Sequence, residues 1–414
     1  MEESATAKQP FDSGPLADAG ERRAIFNVLD SFRQYRKQTH FGTTHRRRQN
    51  FYALPKNHQD LLNSPGTLFL DNLSAIDDAI DENADIANEI LQLGLETFDL
   101  PAQPHIDSWN NWHDTARPLD LDKAHSTLKQ FWRDWSREGF EAELKSVLDT
   151  ILHDVKSYLD SPVTNTRILL PGAGLGRLLF ELCLAGYTAE GNEISYHQLL
   201  SSNFVLNTTK YANQYKLYPF INSFNNHTSR ANQLRSVTIP DVHPSTAMSE
   251  NLKAGLPIGN MSMTAGDFIT SYTSAESAGS FDVVATVYFI DTAPNVIRYI
   301  ETIHHCLGEN GLWINIGPLL WHFEDRLTDK HDVHVDEEND TQNVAKDSTG
   351  IAEPGSFELT EEEVMTLVQR MGFEVIFQET LPPNAGAYIQ DPSSMLQHVY
   401  RCSHWVARKT SASS

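Results

Sequence analysis

Basic side chains are scarce in this sequence. It holds 32 lysines and arginines against 55 aspartates and glutamates, a formal net charge of -23. A field of that sign repels polyphosphates, so an extended nucleic-acid footprint is disfavoured. Cysteine is scarce too, and Cys183, Cys306 and Cys402 are the only three. They form neither a ligand cluster nor a disulfide framework, which points to a reducing compartment. No apolar run nears the roughly 20 residues of a membrane span, and the opening MEESATAKQPFDSG has no apolar signal-peptide core. The expectation is a soluble cytoplasmic protein, with the nucleus also open and no membrane partner. No internal repeat is visible. What is present is 414 residues with 40% hydrophobic and 10% aromatic content, ample for a packed core.

Along the chain, residues 1–20 read as a disordered leader and 21–120 as a helical region. Ile25, Val28, Leu29, Phe32 and Tyr35 recur at helical spacing between Glu21 and Arg48. HQDLLNS and the stretch from Ile76 to Leu93 predict two more helices, and Pro101 to Asp114 a proline-broken connector. The cluster His45-Arg46-Arg47-Arg48 is either a partner patch or, the favoured reading, the solvated face of a helix. Helix returns from Ser126, a candidate cap. The remaining domain, 121–410, switches to strands alternating with helices: RILLPGA, YTAEGNE, SMTAGDF, FDVVATVYFID and GLWINIGPLL, then FEVIFQE and HVYRCSHWVARK as a last antiparallel pair. That order predicts an α/β fold with a mostly parallel seven-stranded sheet covered on both faces. Two polar stretches, near 213–257 and 326–355, read as insertions on its rim.

The first strand of that domain runs straight into Gly172, Gly174 and Gly176. Glycines there let the chain turn sharply and approach a ligand closely, with a helix N-terminus behind them. Glu193, roughly 20 residues past Gly172, ends the next strand, where a carboxylate can accept the hydroxyls of a ribose. The bland alternative is a tight turn with no ligand. A dinucleotide and S-adenosylmethionine both suit such a unit, but GAGLGR departs from GxGxxG by placing its third glycine one residue early. GxGxG suits a donor with no pyrophosphate. Gly266-Asp267-Phe268 then fits the adenine, Asp267 accepting the exocyclic amine and Phe268 packing on the ring, unless it is an ordinary strand-end turn. Together these positions predict a Rossmann-like class I methyltransferase fold with an N-terminal helical extension.

In such folds the acceptor sits at the carboxyl end of the fourth strand. FDVVATVYFID leads there to Asp291, and the fifth strand leads through GPLLWHFED to His322. Both should face one pocket. Asp291 could equally be the N-cap of the helix APNVIRYI, and His322 an exposed loop residue.

PGAGLGRL, GNEIS, GDF, FIDTAPNVI and NIGPLLWHFE, with QTHFGTTHRRRQNFYALPKNHQDLL and LKQFWRDWSREG, resemble the carnosine N-methyltransferase family. The resemblance spans Glu21 to Lys409 apart from the two insertions. It implies methyl transfer from S-adenosylmethionine to the imidazole of carnosine, a β-alanyl-histidine dipeptide, giving anserine. It also implies donor contacts at Gln130, Arg133, Gly172, Glu193, Asp267 and Phe268, alongside Gly174 of the turn, and dipeptide contacts at Asp291, His322 and Tyr400. A cysteine contact of the family falls near Ala278, where this chain has no thiol. Gln130 and Arg133 are three apart on one helix face, so both could reach the donor's carboxylate. Asp291 would hold the ring N–H and stabilise the cation that forms, while His322 orients the substrate or takes the proton. No metal is expected, since the sulfonium is already activated, and the HDVH pair His331 and His334 is set aside as a metal site. Rival readings are a protein histidine methyltransferase using the same pocket, a nucleic-acid methyltransferase, and a donor-binding scaffold without catalysis. A homodimer is compatible with the sequence. The methylated nitrogen is left open.

Overall fold

A computed structural model describes residues 14–324, 355–382 and 388–410. The chain divides into two compact units. One holds the chain up to Ser136 together with Tyr196–Val242 and Asp391–Leu396, and the other holds Arg137–Ser195, His243–Gln390 and Gln397–Ser414. The division falls elsewhere than the bounds read from sequence, because residues 196–242 pack with the N-terminal helices.

In chain order the helices of the first half are α1 (Ala19–His40), α2 (Arg46–Tyr52), α3 (Lys56–Leu62), α4 (Phe69–Thr97), α5 (Pro118–Trp135), α6 (Arg137–Gly139) and α7 (Lys145–Tyr158). A π-turn, Phe41–His45, joins α1 to α2. The helical unit is organised on α1 and α4, which bury Ile25, Leu29 and Phe32, and Ile76, Ile80, Ile86 and Ile90. Of the basic cluster, Arg47 lies 3.6 Å over the Phe224 ring and Arg48 pairs with Asp77 at 2.6 Å, so two of its four residues serve this unit's own packing. Ser126 is not the cap expected of it. α5 starts eight residues earlier, at Pro118, on a box formed by Arg117 and Asp120, and the Ser126 hydroxyl donates to the Lys123 carbonyl.

The second half continues with β1 (Arg167–Pro171), α8 (Arg177–Leu184), β2 (Thr188–Glu193), α9 (Tyr196–Asn203), β3 (Tyr215–Leu217), α10 (Arg230–Gln233), β4 (Val237–Ile239), α11 (Pro244–Lys253) and β5 (Met261–Ala265). Then come α12 (Phe268–Tyr272), β6 (Phe281–Val287), α13 (Val296–Cys306), β7 (Leu307–Gly317), α14 (Glu361–Arg370), β8 (Phe373–Thr380) and β9 (Ser403–Lys409). The polar stretch near 213–257 is therefore structured: β3 and β4 form an antiparallel pair, followed by α11. Most of the second polar stretch, with His331 and His334, lies outside the described residues, as does most of the leader.

The second unit is built on a seven-stranded sheet of order β5-β2-β1-β6-β7-β9-β8. Strands β5, β2, β1, β6 and β7 are parallel neighbours, and β9 is antiparallel to both β7 and β8. This is the mostly parallel seven-stranded sheet that the strand order predicted, in the class I methyltransferase arrangement expected from the glycine turn and the acidic residues after it, with the last strand inserted beside β7. Alternation along each strand explains the two covered faces. Ile168, Leu170, Val283, Ala285, Leu312 and Ile314 enter one core with α7 and α8. Their neighbours Leu169, Val284 and Trp313 enter the other with α13 and α14. No helix among the described residues is long and apolar enough to cross a membrane.

Candidate active site

Five parallel strands place their carboxyl ends along one edge, and the sheet order reverses between β1 and β6, the point where ligands bind in open α/β sheets. Gly172, Gly174 and Gly176 all take left-handed φ values of 70°, 56° and 78°, which L residues avoid. Gly172 has a second reason to be glycine: a Cβ there would come within 2.7 Å of the Phe289 ring. The turn delivers the Gly174 amide onto Glu193, whose Oε2 accepts it at 3.0 Å while Oε1 accepts the Ile194 and Ser195 amides at 2.9 Å each. Three backbone donors thus fix a carboxylate that is only 9% exposed.

That geometry tests the ligand. The amide that a phosphate would need is already engaged by a carboxylate, and a pyrophosphate beside Glu193 would meet like charge. A ribose hydroxyl and a cationic sulfonium meet no such conflict, so the residues present fit S-adenosylmethionine better than a dinucleotide.

Asp267, beyond β5, caps α12 by accepting the Thr270 amide at 3.0 Å. β5 is held to β2 there by the Gly266 amide on the Glu193 carbonyl, 2.9 Å. Phe268 is placed differently from expectation. It is 2% exposed, its ring packed against Tyr272, Phe289 and Tyr299. The side chain belongs to the core, which leaves no ring face for an adenine. Sequence reasoning missed Phe289 and Tyr299, stacked at 4.8 Å and 13°. Burial pushes the Tyr299 phenol up to about 12, with the charges of Asp267 and Glu193 adding to it. Tyr299 reads in sequence as one more apolar position of α13, and nothing there marks it.

On the acceptor side, β6 ends at Val287, four residues before the end of its predicted run, and Ile290–Thr292 form a 3₁₀ turn. The cap of α13 is Asn295, which accepts the Ile297 amide at 3.1 Å. The capping role considered for Asp291 is thereby taken by another residue. Asp291 is 3% exposed; its Oδ2 accepts the Leu320 amide at 2.8 Å and its carbonyl accepts the His322 amide at 3.1 Å. The β6 and β7 loops are stitched together, and Asp291 and His322 do share one place. Burial raises the Asp291 carboxyl above its ordinary value, opposed by the Leu320 amide and the charge of His322. The His322 side chain is exposed. Tyr288, also missed, has a left-handed φ of 51° and accepts a hydrogen bond from the Cys402 thiol at 3.4 Å. Burial raises that thiol, with the Asp291 charge contributing. Tyr400 is half-buried against the same core as Tyr288.

A family model described as carnosine N-methyltransferase matches residues 110–411. The chain belongs to the carnosine N-methyltransferase family. A carnosine N-methyltransferase of Schizosaccharomyces pombe is 36% identical over 395 residues, covering 94% of this chain and 97% of that one. The Mus musculus carnosine N-methyltransferase is 36% identical over 394 residues, covering 94% of this chain and 86% of its own. Among solved structures, a SAM-dependent methyltransferase of Methanosarcina mazei aligns over 63% of this chain and 97% of its own, at 16% identity and a TM-score of 0.35. That likeness is too loose to add to the strand order itself.

The remaining residues expected from the carnosine N-methyltransferase resemblance stand as follows. Gln130 and Arg133 lie on α5, in the helical unit, and both donate to Asp134, at 3.3 and 2.5 Å. Asp134 is 2% exposed and was not singled out in sequence. Ala278 is an exposed residue after a short 3₁₀ turn, and the three cysteines of the chain are all buried elsewhere.

Proposed function

We propose that this protein transfers the methyl group of S-adenosylmethionine to the imidazole of carnosine, leaving S-adenosylhomocysteine and anserine. The observation that carries the reading is a buried carboxylate, Asp291, held at the carboxyl end of β6 in a chain whose family match runs through the whole sheet unit. The donor supplies a methyl group on a positive sulfur, ready for displacement. Glu193 would hold the ribose and Asp267 the adenine amine, with Gly172 and Gly174 giving the backbone its close approach.

Asp291 would act on the acceptor. Its Oδ2 accepts the Leu320 amide, and Oδ1 would take the ring N–H. Holding that N–H fixes the tautomer and aims the lone pair of the other nitrogen at the methyl. The N–C bond forms as the S–C bond breaks, its electron pair going to sulfur, and the ring becomes cationic. The fixed carboxylate stabilises that charge without reorganising. The surplus proton then leaves through Asp291 or the exposed His322 to solvent. His322 and Tyr400 would also position the dipeptide.

The test is incubation with methyl-labelled donor and a panel of carnosine, free histidine and histidine-containing peptides, read by mass spectrometry. Labelled anserine as the main product is the expected result. Labelling of peptides with none on carnosine would move the assignment to a protein substrate.

A further inference from the structure

The β6 and β7 loops approach closely beside Asp291 at a position that carries no side chain. Gly317 ends β7, and its own φ lies outside the left-handed region, so its backbone does not call for glycine. Its neighbour does. A Cβ on Gly317 would lie 3.2 Å from the Tyr288 nitrogen and 3.3 Å from its Cα. Those are backbone atoms, which cannot swing aside as the tip of a side chain can. Tyr288 in turn holds a φ of 51°, a conformation that a bulky residue keeps only where its surroundings over-determine it.

Three hydrogen bonds lock the arrangement. The Tyr288 amide donates to the Ile316 carbonyl at 2.9 Å, extending the β6–β7 ladder by one residue. Past the bend, the Leu320 amide meets Asp291 Oδ2 at 2.8 Å and the His322 amide meets the Asp291 carbonyl at 3.1 Å. The first bond lies before the kink and the other two after it. The separation of the loops at Gly317 and Tyr288 therefore decides whether the later pair can form.

We propose that Gly317 and the left-handed Tyr288 are positioning residues for Asp291: their close backbone approach sets the two loops at the separation that aims the carboxylate at the acceptor ring. This rests on the reading of Asp291 as the group that holds the acceptor. A methyl group at 317 forces the loops apart by a few tenths of an ångström, and hydrogen bonds and reacting groups are sensitive to displacements of that order.

The experiment uses the full-length protein and reads residue-resolved amide exchange at Leu320, donor affinity and turnover of carnosine. In Gly317→Ala, the melting temperature stays close to that of wild type and S-adenosylmethionine affinity within about two-fold, since the proposed donor contacts lie elsewhere. Leu320 exchange rises at least roughly ten-fold and kcat falls by a similar factor, as a few-tenths displacement of a preorganised group implies. Wild-type exchange at Leu320 with wild-type kcat overturns the proposal. A second pair guards against a misfolded alanine variant. Tyr288→Gly accepts the left-handed φ without strain and keeps Leu320 protected, whereas β-branched Tyr288→Val resists it and loses that protection. Equal protection in the two also overturns the proposal. A wild-type protein inactive on carnosine sinks the functional reading alone, because Leu320 exchange is measured without substrate and still decides the positioning role.

Discussion

Asp291→Asn separates the two things this side chain can do. As a tether, it accepts the Leu320 amide at 2.8 Å, and an asparagine carbonyl oxygen of the same shape accepts that amide equally well. As an anion, it fixes the ring N–H and balances the positive charge that grows on the imidazole, and the amide carries no charge for either task. Loss of one preorganised electrostatic partner of this kind costs ~100- to 1000-fold in turnover, about 2.7–4 kcal/mol. The stability effect has the opposite sign. Burial raises the Asp291 carboxyl above its ordinary 3.8, so the folded state disfavours the ionised form. The handicap is absent below the unfolded value and sets in as pH rises through the raised folded value, so it is present at neutral pH. Removing the charge should leave the melting temperature unchanged or higher there. Steady-state kinetics with labelled donor, calorimetric donor affinity and a thermal melt together check the expected pattern: turnover collapsed, donor affinity held, stability intact. Near-wild-type turnover in a folded Asp291→Asn protein would refute the anion role and leave only a loop tether.

Three other outcomes are expected. Glu193→Gln keeps the shape of the acceptor but removes its charge, and should weaken donor binding by about 1.5–3 kcal/mol, the scale for hydrogen bonds to ionised groups; calorimetry showing unchanged affinity would place the donor elsewhere. His404 is buried between Asp154, 2.7 Å away, and Glu379, 3.0 Å away. Burial alone would depress its pKa, yet the two carboxylates outweigh that and hold it above 6.5. Its contribution to stability is therefore full below 6.5 and lost as pH rises through the higher folded value. Melting curves across that range should flatten in His404→Gln. Finally, Asn295→Ala removes the cap of α13 and should cost about 1 kcal/mol in denaturant unfolding, whereas Ser126→Ala, inside α5, should be nearly silent; the reverse ranking would contradict the helix boundaries described above.

The geometry of the proposed donor half was legible in the chain itself. Gly172, Gly174, Gly176 and Glu193 belong to one strand–turn–helix–strand unit, and each is constrained by its neighbours along the chain. Left-handed φ values select glycine, alternation selects the strand, and parallel pairing of β1 with β2 brings the Gly174 amide to Glu193. Asp267 followed the same local logic at the end of β5.

What tertiary structure alone decided lies where partners are distant in sequence. Asp291 could cap α13 as far as local spacing goes. Its carboxylate instead meets an amide 29 residues on, because β7 pairs beside β6. Phe268 looked like an adenine platform until Phe289 and Tyr299 enclosed its ring. β9 was expected only to pair with β8, and the sheet order slots it against β7 as well. Backbone preference acts over a few residues, whereas burial and hydrogen-bond partnership depend on which elements the whole sheet sets side by side. The glycine at 317 shows the limit most plainly: its own φ and its neighbours in the chain call for nothing special, and only the backbone of Tyr288 across the strand pair crowds the space a side chain would take.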